Sequence, residues 1–156
     1  MTRKPSPPDR FFEDYPEGAV FELGSIRMEP DELLSFARRF DPQPFHTDAR
    51  AAAESPYGGL IASGWHTASL MMRLLATQFL SPASSLGSPG IDELRWLAPV
   101  RPGDELWVRV TILSARRSAS NPERGVAISL IETRNQEGTL VLSMKAVNLL
   151  RCRARA

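Results

Sequence analysis

The segment from Trp65 to Leu80 is apolar on most of its sides. Leu70, Met71, Met72, Leu74, Leu75, Ala76, Phe79 and Leu80 are interrupted mainly by Arg73 and Gln78. A surface helix hides one stripe, whereas a helix apolar nearly all round has to be buried. The run falls short of the roughly 18 or more apolar residues that a membrane span requires, so the burial must come from protein. From residue 91 the period changes to two. Leu106, Val108, Val110 and Ile112 alternate with Trp107, Arg109, Thr111 and Leu113, and Leu140, Leu142, Met144 and Ala146 alternate with Val141, Ser143, Lys145 and Val147. Such alternation belongs to strands. Ile91–Ala98 and Val126–Glu132 read as two further strands. Pro102-Gly103 suits a tight turn, with proline at its first corner and glycine at a positive φ, and Asn135 to Gly138 closes the last hairpin. An antiparallel sheet wrapped around one long buried helix satisfies all of this, an α+β plan rather than alternating βαβ units.

Upstream, Ala19 to Met28 reads as a strand. Pro30-Asp31-Glu32 opens a helix, because proline and acids favour a first turn. Leu33, Leu34, Phe36, Ala37 and Phe40 then recur at helical spacing. Pro42 disfavours helical geometry at Asp41, where the helix should end. Asp41 to Thr47 is expected to be a loop that two prolines constrain, and Asp48 to cap a short helix over Ala49–Glu54. Residues 1–10 are proline-rich and polar and are expected to form a loose tail. The rest, 11–156, reads as one domain without repeats or an internal linker.

Charge and composition narrow the function classes. The net charge is +1 over 156 residues, so there is no bulk electrostatic case for nucleic acid or an anionic membrane. The basic residues are 17 Arg against only Lys4 and Lys145, and arginine's planar fork suits phosphate. Cys152 is the single cysteine, which excludes an internal disulfide. The opening residues lack the apolar core of a signal peptide. A cytoplasmic protein is expected.

The chain has two histidines, and His46 follows Asp41 by five residues in the segment Asp41-Pro42-Gln43-Pro44-Phe45-His46-Thr47-Asp48. Histidine can gain or lose a proton near neutral pH, and an aspartate beside it supplies a fixed carboxylate. The plainer alternative is a turn capped by Asp41 with His46 making a surface hydrogen bond. Leu60-Ile61-Ala62-Ser63-Gly64-Trp65 enters the apolar helix. A first helical turn has unpaired N–H groups and the positive end of the dipole, and Gly64 would let a ligand approach the backbone. Such a place can hold a developing oxyanion. Equally, Ser63 could be a simple N-cap and Gly64 a tight packing point. His66, Met71 and Met72 read first as packing residues, Trp96 and Trp107 as packing or subunit-contact residues, and Arg151 to Arg155 as a solvated tail. His46, Asp48, His66 and Cys152 make no recognised metal spacing, so neither a metal nor a cofactor is expected.

Taken together, Phe36-Ala37, Asp41, Pro44, His46, Asp48, Ala52, Ile61-Ala62 and Gly64 resemble the hydratase motif of the MaoC-like dehydratase, or (R)-specific enoyl-CoA hydratase, family. Phe12-Glu13-Asp14-Tyr15 with Phe21-Glu22-Leu23-Gly24 resembles that family's first strand, and Pro99-Val100-Arg101-Pro102-Gly103-Asp104 its strand turn. The likeness runs over about residues 11–150. It departs from the pattern at Gln43, where asparagine is usual, and at Ser63, where histidine often stands.

The resemblance implies a hot-dog fold and the reversible hydration of a trans-2-enoyl thioester of CoA or of an acyl carrier protein. Asp41 would orient and deprotonate the attacking water, and His46 would share that water and help to protonate the α-carbon. The Gly64 N–H would hold the thioester oxygen, with Gln43 and Ser63 beside the substrate. It also implies a homodimer, and Arg101, Arg116 or Arg117 as candidates for meeting CoA phosphates. Two alternatives stay open. A hot-dog thioesterase commonly carries a carboxylate on the central helix, and Trp65 to Leu80 has none. A non-catalytic acyl-thioester-binding subunit would tolerate the changes at Gln43 and Ser63.

Overall fold

The computed structural model describes residues 9–155. Five strands, β1 (Val20–Arg27), β2 (Ile91–Trp96), β3 (Glu105–Arg117), β4 (Arg124–Arg134) and β5 (Leu140–Arg151), form one sheet in the order β1-β3-β4-β5-β2. Every pairing is antiparallel. Four helices precede β2: α1 (Pro30–Phe40), α2 (Pro44–Thr47), α3 (Ala49–Glu54) and α4 (Gly64–Leu74). Strands β3, β4 and β5 form an antiparallel meander, and β2 lies at the edge against β5.

The strands follow the alternation in the sequence. Leu106, Val108, Val110 and Ile112 are all buried, while Trp107, Arg109 and Leu113 face outward. They join Leu142, Met144 and Leu150 of β5 and Leu70, Met71 and Leu74 of α4 in one core. The turn before β3 has Gly103 at φ +85°, as the Pro-Gly pair requires. Gly24, at φ +83°, sits in a β-bulge of β1 where the pairing with β3 shifts register, so glycine there avoids backbone strain.

Three expectations need correction. The segment Asp41–Thr47 is not wholly loop: Pro44 to Thr47 forms a helical turn with proline at its first position, where a fixed φ is already helical. The apolar helix continues past Leu74 as a π-helical turn over Leu75–Phe79, closed by Leu80 N–H donating to Leu75 O at 2.8 Å. It is also not buried on all sides within one chain. Trp65 and Met72 are 58% and 45% exposed, and with Ser69 and Ala76 they form an open stripe at helical spacing. Finally, the C-terminal end is not a free tail. Cys152 is buried and its N–H donates to Glu123 O, while Arg153 pairs with Asp14.

Residues 1–8 of the expected N-terminal tail lie outside the described residues. Arg10 is anchored: its guanidinium donates to Gln78 O at 2.9 Å and lies over the Phe21 ring. Among the described residues no helix is long and apolar enough to cross a membrane.

Candidate active site

Asp41 terminates α1, its N–H still bonded to Ala37 O. Pro42 prevents the helix from continuing, so the carboxylate projects from a fixed helix end. His46 lies on α2 and is 5% exposed. The extended segment before α4 ties the parts together: Ile61 N–H donates to Phe45 O and Ala62 N–H to Val100 O. His46 Nδ1 lies 2.8 Å from Ile61 O. A carbonyl oxygen only accepts, so Nδ1 carries a proton in either charge state, and Nε2 is an acceptor when the ring is neutral and a donor to Asp41 when it is charged. Nε2 faces Asp41 Oδ2 at 3.2 Å.

Three side chains converge on the Asp41 carboxylate. Gln43 Nε2 donates to Oδ1 at 2.6 Å and Ser63 Oγ to Oδ2 at 2.7 Å, with His46 against Oδ2. Burial pushes the carboxyl pKa up, but the Gln43 and Ser63 hydrogen bonds, with His46, together outweigh it and hold it below the ordinary aspartate value. Hydrogen bonds to the charged form act in this direction. Asp41 is therefore a stabilised carboxylate.

Ser63 occupies the N-cap position of α4, yet its hydroxyl makes no cap bond and turns to Asp41 instead. The simple N-cap alternative does not hold. The Ser63 carbonyl serves His66 and Thr67 N–H groups, leaving the first-turn N–H of Gly64 without an acceptor among the described residues. Gly64 is also a packing point. Trp96 Nε1 donates to Gly64 O at 2.8 Å, and a Cβ at Gly64 would lie 2.5 Å from Trp96 Cε2.

These groups border a cleft of about 480 Å³. Asp41, Gln43, His46 and Gly64 lie on its lining together with Phe45, Tyr57, Thr67, Trp96 and Val100, a mainly apolar wall with a few polar groups at one place. Ser63 reaches it through Asp41. All five candidate residues thus come together from two separate pieces of chain, Asp41–His46 and Ser63-Gly64. The Ile61 carbonyl and the Trp96 wall were not anticipated, since neither a backbone oxygen nor a strand tryptophan carries a spacing signal. Arg101 clamps the rim, its guanidinium donating to Tyr57 O at 2.5 Å and Gly59 O at 3.2 Å. Arg117 lies at the far end of β3 and does not border this cleft.

His66 is buried and packed, as expected. It stacks on Phe36 with 4.6 Å between centroids and its Nε2 meets Glu32 Oε1 at 2.9 Å.

The model of the MaoC-like domain matches residues 13–134. The chain belongs to the MaoC-like dehydratase family. Among solved structures, a MaoC-like dehydratase from Rhodospirillum rubrum is 41% identical, with a TM-score of 0.87 over 94% of this chain and 99% of that one. The fold of this MaoC-like chain is the hot-dog fold. The uncharacterized protein YdeM of Bacillus subtilis is 28% identical over 80% of this chain and 87% of its own length. A 3-hydroxybutyryl-CoA dehydratase of Methylorubrum extorquens is 32% identical over 65% of this chain and 63% of its own length.

Proposed function

We propose that this MaoC-like chain adds water to trans-2-enoyl thioesters and, in reverse, dehydrates (R)-3-hydroxyacyl thioesters, the acyl group being carried on CoA or an acyl carrier protein. The observation that carries this reading is the pairing of His46 Nε2 with Asp41 Oδ2 at 3.2 Å on the wall of the cleft. With Nδ1 committed to Ile61 O and the ring neutral, two acceptors stand side by side. A water can give one hydrogen to each and turn a lone pair toward the substrate. Relatedness to a 3-hydroxybutyryl-CoA dehydratase supports the thioester as substrate.

In the hydration direction the water oxygen bonds to the β-carbon as the α,β double bond opens. One water proton passes to His46 Nε2, and the imidazolium so formed returns it to the α-carbon. Asp41 stays ionised throughout, orienting the water and stabilising the imidazolium. This division differs from the one that the resemblance implies, because a carboxylate already accepting from Gln43 and Ser63 is the weaker base of the two. The Gly64 N–H, at the positive end of α4, holds the thioester oxygen while enolate charge develops. The balance is one water added and no electrons exchanged, so the reaction as written calls on no redox group and no metal.

The thioesterase alternative has no matching residue on α4, which contains no acid. We also propose a homodimer. The open stripe of Trp65 and Met72 adjoins Trp96 on the β2 edge, and a second copy would cover this apolar surface.

The test is to offer the protein trans-2-enoyl-CoA esters of several chain lengths, following loss of the enoyl absorbance and release of free thiol in parallel. Hydration without thiol release is expected. Thiol release without hydration would make the protein a thioesterase, and tight binding with neither would make it a non-catalytic carrier of acyl thioesters.

A further inference from the structure

A second cleft lies apart from the one at Asp41 and His46. It encloses about 790 Å³ where the C-terminal end of β5 meets the turn between β3 and β4. Five of the chain's arginines line it, Arg117, Arg124, Arg151, Arg153 and Arg155, with one carboxylate, Glu123. Phe11, Leu86 and Cys152 give it an apolar portion.

The local fold uses up two of the five guanidiniums. Gly125 has no side chain, and the Phe12 ring occupies the place where a Cβ would stand. That close approach brings the turn Phe12–Asp14 against β4. Glu13 then pairs with Arg117 at 3.2 Å, and Asp14 with Arg153 at 2.5 Å. Arg124, Arg151 and Arg155 have no carboxylate partner among the described residues. Arg124 Nε is buried and has no acceptor. That atom has no open face; it is the gathering of five guanidiniums with one carboxylate around a single cavity that favours an anion.

We propose that this cleft is a second ligand site, one that takes a small molecule carrying clustered phosphates. Three uncommitted guanidinium forks around a cavity match phosphate oxygens better than a single carboxylate, and the apolar portion beside them suits an attached ring or chain. The site is separate from the first cleft within one chain. Trp96, on the wall of the first cleft, pairs with Leu142 on β5, and Arg151 ends the same strand nine residues later, 151 minus 142. At ~3.3 Å per residue the two clefts stand about 30 Å apart. The phosphates could belong to a free nucleotide or to the phosphate-bearing end of CoA. The proposal does not depend on the hydratase reading.

The experiment is calorimetric titration of the full chain with pyrophosphate, ADP and CoA. It compares wild type with the double variant Arg151→Gln/Arg155→Gln, whose side chains are exposed and whose loss spares the core. Arg124→Lys is a further variant, which keeps the charge but removes the planar fork. Saturable binding at one site per chain is expected, weakened about tenfold or more in the double variant and measurably in Arg124→Lys, with unchanged circular dichroism. Binding of pyrophosphate and ADP would identify free phosphates as the source. Binding of CoA alone, lost in the double variant, would identify the phosphate end of CoA. No saturable binding of any of the three to wild type, or equal binding by the double variant, overturns the proposal.

Discussion

Ser63 Oγ donates to Asp41 Oδ2 at 2.7 Å across 22 residues of chain, although Ser63 stands where a serine would ordinarily cap α4. The hydroxyl serves the carboxylate and leaves the helix end open toward the cleft. The ionised Asp41 of the proposed chemistry thus depends in part on one side-chain rotation.

Ser63→Ala should therefore move the acid side of the pH–rate profile to higher pH. Burial raises the Asp41 pKa, and the Gln43 and Ser63 donors with His46 more than offset it, so losing one donor raises it. The same shift acts on stability. A carboxyl depressed on folding contributes stability that is complete above the unfolded value, about pH 4, and is lost as pH falls through the folded value. The Tm gap between wild type and Ser63→Ala should narrow as pH drops below about 4. A pH–rate profile identical to wild type would separate Ser63 from Asp41.

Gly64→Ala should destabilise by about 1–3 kcal/mol, the usual cost of overpacking, because its Cβ would lie 2.5 Å from the Trp96 ring. Adding Trp96→Leu should recover part of the loss, giving a non-additive double-mutant cycle in thermal melts. Strict additivity would mean that the ring moves aside freely.

Tyr15 tests the packing around the π-helical turn. Its hydroxyl donates to Phe79 O at 2.6 Å, and burial pushes its pKa up to about 12, only partly offset by Arg10. Tyr15→Phe should cost about 1–2 kcal/mol near neutral pH, the penalty of a buried acceptor left unpaired. A pKa raised on folding gives stability that is present below about 10 and lost as pH rises toward 12. Denaturant melts at pH 10–12 should therefore show wild type and Tyr15→Phe converging. A constant gap would remove Tyr15 from the alkaline transition.

Met72→Lys should turn a dimer into a folded monomer. Met72 is exposed within one chain, so the lysine costs the monomer little but charges the surface that the second copy would cover. Sedimentation of wild type at 17.3 kDa would contradict the dimer itself.

The fold was largely legible in the sequence because its strongest signals are periodic. The alternation in Leu106–Leu113 reappears as burial, and the apolar character of Trp65–Phe79 does so except along the stripe of Trp65 and Met72. What escaped reading was set by contacts distant in sequence. Pro44 was read as a constraint on a loop, whereas it starts the helical turn that carries His46. The C-terminal arginines read as a tail because nothing local shows that Glu13 and Asp14 lie across from them. At the site, Asp41 and His46 stand out by residue type and spacing and Ser63-Gly64 by their place before the helix, while their choice as site residues, and that of Gln43, comes from the family resemblance. The bond from Ser63 to Asp41, the Ile61 carbonyl that fixes the His46 tautomer and the Trp96 wall required the fold, since each joins residues far apart in sequence.

The most direct test of the central claim is the hydration rate of a trans-2-enoyl-CoA by wild type, Asp41→Asn and His46→Ala measured side by side. Asp41→Asn keeps the shape but removes the charge, and His46→Ala removes the proton carrier. Each should lower kcat/KM by roughly 10²–10⁴-fold with the circular dichroism spectrum unchanged. Rates near wild type in both variants would contradict the assignment of the reaction to this pair.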